Sequence, residues 1–192
     1  MLAYLVLLLA VLSRILPHAF HAVSWNFTAI GGGLLFFGSK MNDSRSSAWM
    51  TAAKLASALA ALIATDYYLT VFAFGYAFHP AAYLVTWMWY AAVCLLGMGI
   101  LQKPSVLKVA AGVLASATSF FILSNFAVWA GGALYPHSLA GLAACYTAAV
   151  PFYRNDVVST AVTATALFGL PVLAAKIEES LLAARNNNQP LA

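Results

Sequence analysis

The chain has 192 residues, of which 64% are hydrophobic and 7% charged, and its mean hydropathy is +0.88. Soluble domains carry roughly 25% charged residues, so the composition indicates an integral membrane protein. The net charge of +4 does not predict nucleic-acid binding, because the basic residues are scattered between apolar segments.

The first two apolar segments lie within residues 1–39. The N-terminal stretch lacks the basic start and small-residue cleavage site of a signal peptide, and we expect a retained helix over residues 2–16, with Arg14 near its end and Pro17 ending it. A second span is predicted over residues 23–39, with Asn26 as its N-cap. Gly31, Gly32 and Gly33 inside it would let a neighbouring helix approach closely.

Three longer spans follow a polar loop over residues 40–47. The third is predicted over residues 48–68, where every fourth residue is alanine, which places a packing face for another helix on one side. This alanine ladder consists of Ala52, Ala56, Ala60 and Ala64. Pro80 suits a helix start and opens a fourth span over residues 81–101. The fifth covers residues 105–130.

The last part of the chain is predicted to contain two helices. Residues 137–150 are too few to cross a bilayer and indicate a short interfacial or re-entrant helix closed by Pro151. Asn155 and Asp156 would cap a sixth span over residues 157–175. The predicted fold is therefore all-α, a polytopic membrane helical bundle with six transmembrane helices plus one short interfacial or re-entrant helix. Residues 1–185 form one domain, and residues 186–192 a polar cytoplasmic tail.

The distribution of basic residues predicts the orientation. With six spans, Arg14 and Arg154 lie on one side, and seven basic residues lie on the other: Lys40, Arg45, Lys54, Lys103, Lys108, Lys176 and Arg185. This bias predicts that both termini are cytoplasmic.

The predicted outward segments are rich in rings. Residues 17–28, 66–90 and 119–156 contain 21 of the 26 aromatic residues and all four histidines. An interfacial aromatic belt is the alternative interpretation, but such belts occur at both faces of a membrane. The one-sided excess favours a cavity lined by aromatic side chains.

Polar residues within these segments are candidates for ligand contact. Asp66 is a carboxylate within a predicted span, where a charge has a high free-energy cost. It therefore indicates either a functional role or a structural pair, for example with Arg14. Arg14 could instead bind an acidic group of a ligand or snorkel to headgroups. Asn125 must find a partner in a helix or a ligand. The full set of predicted substrate-binding residues is Arg14, Asn26, Asp66, Trp87, Asn125, Trp129, Tyr135, His137 and Tyr146.

The sequence contains no motif that indicates an enzyme or a cofactor-binding protein. Zinc-protease, Cys-x-x-Cys, haem-attachment and P-loop motifs are absent from the sequence. We therefore expect a non-enzymatic protein without a cofactor or metal, and buried free thiols at Cys94 and Cys145. One alternative is haem or metal binding by the outward histidines His18, His21, His79 and His137. Another is a structural subunit whose interface is the alanine ladder.

Several local patterns resemble a family of small bacterial membrane proteins described as transport proteins of unknown function. They are Arg14 to His18, Asn26 to Gly31, Phe37-Gly38, Asp66, Ser119 to Phe121, Ser124 to Phe126, Trp129, Tyr135-Pro136, Gly141-Leu142, Cys145-Tyr146 and Pro151-Phe152. More remotely, the layout is similar to the substrate-binding S component of energy-coupling-factor vitamin transporters. That resemblance implies six helices, cytoplasmic termini, an outward pocket, and partnership with a transmembrane coupling subunit and ATPases.

The chain departs from that second pattern in one respect. S components often carry Ala-x-x-x-Ala on the first helix, whereas Ala3 and Ala10 are seven apart here and the ladder lies on the third helix. We expect a protein of the lipid bilayer that binds no nucleic acid. It would capture a small, partly aromatic, vitamin-like molecule from the outside.

Overall fold

A computed structural model describes residues 1–19, 27–42 and 47–187 of the chain. The described residues form helices and no strands, which confirms the predicted all-α class. The six α-helices are α1 (Leu2–Ala19), α2 (Ile30–Ser39), α3 (Ala48–Tyr68), α4 (Leu84–Ile100), α5 (Val106–Gly131) and α6 (Leu139–Asn187). A π-helical turn, Leu69–Ala73, extends α3, and a 3-10 turn, Pro80–Tyr83, leads into α4.

The helices alternate in direction along the chain. α1 and α3 run in the same direction. The Tyr4 hydroxyl of α1 lies 3.2 Å from the Ser57 hydroxyl of α3, and further along both helices Arg14 bonds Asp66. α4 runs against α3, and α5 and α6 lie antiparallel. One end of the bundle, here called the lysine end, carries Lys40, Lys54, Lys103, Lys108 and Lys176. Met1 lies at this end, and Arg14 towards the other.

Four of the described helical segments are long and apolar enough to cross a membrane. They comprise α3 with its π-helical extension, α4 with its 3-10 turn, α5, and α6. The apolar parts of α1 and α2 are shorter. The chain is therefore compatible with a multi-pass membrane protein, and the count of six crossings stays a prediction.

Helix α2 is shorter than the predicted second span. It has ten residues, about 15 Å of helix, against a hydrocarbon core of about 30 Å. Residues 27–29 precede it without helical structure, and the Ala29 amide donates to the Ser13 hydroxyl at 2.9 Å. All ten residues of α2 are buried, because it packs against α1, α4 and α6. Asn26, the predicted N-cap, lies outside the described residues.

Glycines allow α2 to sit at the centre of the bundle. A Cβ atom on Gly38 would collide with the carbonyl oxygen of Cys94, and one on Gly97 with the carbonyl oxygen of Leu35. Helices α2 and α4 therefore cross with their backbones in contact. Among the glycines predicted to permit close approach, a Cβ on Gly32 would meet the Ala164 amide nitrogen of α6 and one on Gly33 the Ala10 Cβ of α1, so that prediction is confirmed.

The separate short helix predicted over residues 137–150 does not exist in the structure. Instead, α6 continues through Pro151 and Pro171 for 49 residues. Tyr146 and Tyr153, on either side of Pro151, both pack against Phe121 of α5, at 5.3 and 4.8 Å between ring centroids. We infer that this contact with α5 holds the two halves in line, overriding the tendency of proline to break a helix.

The continuous α6 also corrects the predicted positions of Arg154 and Asp156. Both residues lie inside α6 and belong neither to a loop nor to a helix cap. They follow Tyr153 directly, and the Tyr153 hydroxyl is 2.9 Å from the hydroxyl of Thr118, at the middle of α5. Past Lys176, which lies beside the start of α5, the helix runs on for about 16 Å, and Ile177–Leu182 is exposed.

Helix α3 has the predicted bounds, residues 48–68, and Ser47 caps it by accepting a bond from the Met50 amide at 3.3 Å. Its buried side includes Ala58 and Leu62. The alanine ladder points the other way and is exposed along its whole length. The helix that would pack on it is therefore not one of the described helices of this chain.

Candidate ligand-binding site

A partly open cavity of about 290 Å³ lies between α1, α2, α4, α5 and α6, on the side of α2 away from the lysine end. Its polar lining comes from Arg14, Thr28, Ser124, Asn125 and Asp156. Its aromatic lining comes from Trp89, Tyr90, Phe120, Phe121, Phe152 and Tyr153. Charged and aromatic groups thus converge in one place inside an otherwise apolar bundle.

A buried ion pair holds Arg14 in this cavity. Arg14 Nη2 donates to Asp66 Oδ1, and Trp87 Nε1 donates to the other carboxylate oxygen at 2.9 Å. Asp66 is 2% exposed and does not itself line the cavity. Both of its oxygens are occupied, so Asp66 and Trp87 position Arg14. The pairing with Arg14 was one of the alternatives that the sequence left open.

The second terminal nitrogen of Arg14 is not satisfied in the same way. Nη1 is buried and has no hydrogen-bond partner among the residues that the structure describes. The guanidinium carbon lies 6.0 Å from the centroid of the Tyr90 ring, which also lines the cavity. Arg14 therefore offers a free N–H donor beside an aromatic face.

Two pairs of rings, here called the aromatic walls, line the cavity. Where α4 meets α5, Trp89 packs against Phe120 at 4.6 Å between centroids, and its indole N–H donates to Ser119 Oγ at 3.1 Å. Where α5 meets α6, Phe121 packs against Tyr153 at 4.8 Å. Since neighbouring helices support each ring, the walls are preformed.

Asn125 stands on α5, on the same side of the cavity as Ser124. One N–H of its amide donates to the Phe121 carbonyl at 2.7 Å, which leaves the amide oxygen and the second N–H available to a ligand. The Ser124 hydroxyl donates to the Phe120 carbonyl at 2.6 Å. A ligand donor could therefore bind the oxygen of either side chain.

Asp156 brings a second carboxylate to the cavity from α6. Its side chain accepts one bond, from the Thr160 hydroxyl at 3.4 Å, and among the described residues no cation contacts it. Asp156 was not among the predicted site residues, because its position after Pro151 and Asn155 indicated the start of a helix on the outer side. The rule that made Asp66 a candidate, an acidic residue at membrane depth, also selects Asp156 once α6 is one helix.

Four other predicted site residues do not line the cavity. Trp129 donates to the Pro136 carbonyl at 2.9 Å and packs against His137 at 5.6 Å, while Tyr146 donates to the Ile122 carbonyl at 2.7 Å. Tyr135 belongs to the same turn between α5 and α6. The structure brings together Arg14 and Asn125 of the predicted set, with Asp66 and Trp87 directly behind Arg14.

Residues suited to metal binding are dispersed. The described part of the chain has no group of three or more histidine, cysteine or acidic residues that could hold a metal ion. His79 and His137 are exposed, whereas His21 and the side chain of His18 lie outside the description. Cys94 and Cys145 are buried free thiols, as predicted.

Comparison with known proteins assigns the chain to a family. The family profile matches residues 1–181, nearly the whole chain. The chain belongs to DUF6580, a family of unknown function. No curated protein and no solved structure matches it. The predicted membership of a family of unknown function is confirmed, whereas the bacterial origin, the transport role and the similarity to S components stay predictions.

Proposed function

We propose that this DUF6580 member is a membrane substrate-binding protein, similar in role to an S component, that captures a small, partly aromatic, vitamin-like molecule for transport. The observation that carries the proposal is the cavity, which is lined both by Arg14, whose Nη1 has no partner among the described residues, and by two aromatic walls. Ligand pockets typically combine apolar walls with a few convergent polar groups.

The direction of capture follows from the charges. Five lysines cluster at the lysine end, and the cavity lies on the other side of α2. Because cytoplasmic segments carry the excess of lysine and arginine, we place the lysine end in the cytoplasm of a bacterium and the cavity towards the outside. The substrate would then enter from the outer face.

The dimensions of the cavity favour a compact ligand. Pockets for drug-sized molecules range from about 300 to 1,000 Å³, and this one has about 290 Å³. A molecule with one or two rings would fit between the walls. The oxygen of Asn125 and the free N–H of Arg14 would fix its orientation.

Uptake against a gradient would need an energy source from another protein, because the sequence has no P-loop. The exposed alanine ladder of α3 is suited to close contact with a transmembrane coupling subunit, which would in turn bind ATPases. Small residues let the backbones of two helices approach within a membrane, where the hydrophobic effect does not drive helix association.

Blocking the cavity tests the proposal. Ala149 lines the cavity and is 7% exposed, whereas its neighbour Ala148 is exposed on α6. The purified wild-type protein should retain a small molecule, detected by native mass spectrometry. Ala149→Trp should lose it, and Ala148→Trp should keep it, with both variants folded by circular dichroism. If Ala149→Trp retained the same molecule as the wild type, the cavity would not be the binding site.

A further inference from the structure

The charges that face the cavity do not balance. Arg14 is neutralised by Asp66, so this pair contributes no net charge. Asp156 also lines the cavity, but among the described residues it has no cationic partner. An ionised Asp156 therefore gives the site the equivalent of one uncompensated negative charge at membrane depth, which is costly unless a cation pairs with it.

The N-terminus of α2 compensates only part of this charge. Its first residues, Ile30 and Gly31, line the cavity, and Gly31 packs against Thr160, which bonds Asp156. A helix N-terminus is equivalent to roughly half an elementary positive charge. About half of the charge on Asp156 therefore remains for another group to neutralise.

The walls suit a positive charge. The faces of tryptophan, tyrosine and phenylalanine rings attract cations, most strongly when the site is shielded from solvent. Trp89 and Phe120 form one wall, and Phe121 and Tyr153 the other. An organic cation could bind Asp156 through its charge and the rings through its apolar part.

We propose that the ligand is a small organic cation, a protonated amine or a positively charged heterocycle attached to an aromatic ring. Its charge binds Asp156, its ring lies between the aromatic walls, and a neutral acceptor on it receives the free N–H of Arg14. Because Asp66 already neutralises Arg14, an acidic group on the ligand would bring excess negative charge into the site. This inference rests on the proposed capture function.

Three probes of similar size separate the effect of charge from that of shape: phenethylammonium, 2-phenylethanol and phenylacetate. Their affinities for the purified full-length protein are measured at pH 7 by calorimetry. We expect phenethylammonium to bind at least about tenfold more tightly than 2-phenylethanol, because its charge pairs with Asp156. Phenylacetate should bind more weakly than either.

Variants of the acidic residues test where this preference originates. Asp156→Asn should bring phenethylammonium and 2-phenylethanol to within about twofold of each other, since only the charge pair is lost. Asp156→Glu should retain the preference. The control is Glu178→Gln, an exposed position on the same helix beyond the cavity, which should behave as the wild type.

Three results would overturn the inference: no binding of phenethylammonium, tighter binding of phenylacetate, or an ammonium preference that survives in Asp156→Asn. Failure of the charge inference is distinguishable from failure of the capture function. If phenylacetate or 2-phenylethanol bound most tightly and Ala149→Trp abolished that binding, the cavity would still capture a ligand, but not a cation.

Discussion

Arg14 of α1 and Asp66 of α3 form an ion pair that links two helices far apart in the chain and leaves Nη1 of this cavity-lining arginine without a partner among the described residues. Trp87 of α4 completes the arrangement by bonding the same carboxylate. Three helices thus meet at Asp66, and the orientation of Arg14 depends on all of them. A structural contact and a ligand-binding group are here parts of one unit.

Breaking this pair should destabilise the bundle. Asp66→Leu leaves the Arg14 charge buried without a partner, which should cost about 3–5 kcal/mol in the free energy of unfolding. Replacing both residues, Arg14→Met with Asp66→Leu, should recover most of that loss. Denaturant unfolding in detergent micelles measures both. If the double variant were as unstable as the single one, packing and not charge would be the cause.

The contact between α2 and α4 should tolerate no added methyl group. In Gly97→Ala the new Cβ would meet the carbonyl oxygen of Leu35, so we expect a loss of about 1–3 kcal/mol in stability. Gly99→Ala, two residues later on the same helix, is the matched control. Nothing lies within 4 Å of its Cβ position, and its stability should be unchanged or slightly higher. Equal effects of the two substitutions on thermal unfolding would contradict the close crossing.

Two predicted site residues should differ in their effect on ligand affinity. Asn125→Ala removes a hydrogen-bond acceptor from the cavity, worth about 1 kcal/mol, so affinity should fall about fivefold. Trp129→Ala acts outside the cavity, where the indole bonds Pro136, and should change affinity by less than about twofold. Measuring the affinity of each variant for the molecule that co-purifies with the wild type tests this difference. A large effect of Trp129→Ala alone would move the site to the turn between α5 and α6.

Chemical labelling should verify which end of the bundle faces outwards. His137→Cys should react with a membrane-impermeant maleimide in intact cells, whereas Lys103→Cys should react only after permeabilisation, because both positions are exposed at opposite ends. The native cysteines are buried, so the wild type provides a low background. Labelling of both variants in intact cells would remove the basis for capture from the outside.

The alanine ladder should matter for association and not for folding. Ala56→Leu changes an exposed position of α3 and should alter stability by less than about 0.5 kcal/mol. Ala58→Leu, at a fully buried position of the same helix, should lose about 1–3 kcal/mol through overpacking. If Ala56→Leu also abolished co-purification of a membrane partner, the ladder would be its interface. Instability of Ala56→Leu would indicate an undetected contact within the chain.

Hydropathy located most of the helices because each long one contains an apolar stretch of membrane-spanning length. The third span was predicted with the bounds of α3, and the fifth to within one residue of α5 at either end. Hydropathy did not predict the short length of α2, because a ten-residue helix buried in a bundle is as apolar as part of a membrane-spanning helix. Only tertiary contacts distinguish the two cases.

The site was partly predictable for a related reason. Arg14 and Asn125 stand out as polar residues within apolar segments, and both line the cavity. Asp156 was not predicted as a site residue, because local sequence rules indicated that a helix ends at Pro151 and that Asp156 caps the next one. Those rules describe an isolated segment, whereas Tyr146 and Tyr153 extend the helix through contacts with Phe121, 25 or more residues earlier in the chain.

The late start of α2 has a consequence for how the cavity is filled. Residues 27–29 are not helical, and Thr28 lines the cavity beside the first turn of α2, whose free amide groups need hydrogen-bond partners. Lipid cannot supply them, so irregular backbone at this depth is tolerated only next to protein or in contact with water. We therefore expect water in the cavity to solvate those amides, so that an arriving molecule must replace their solvation as well as its own.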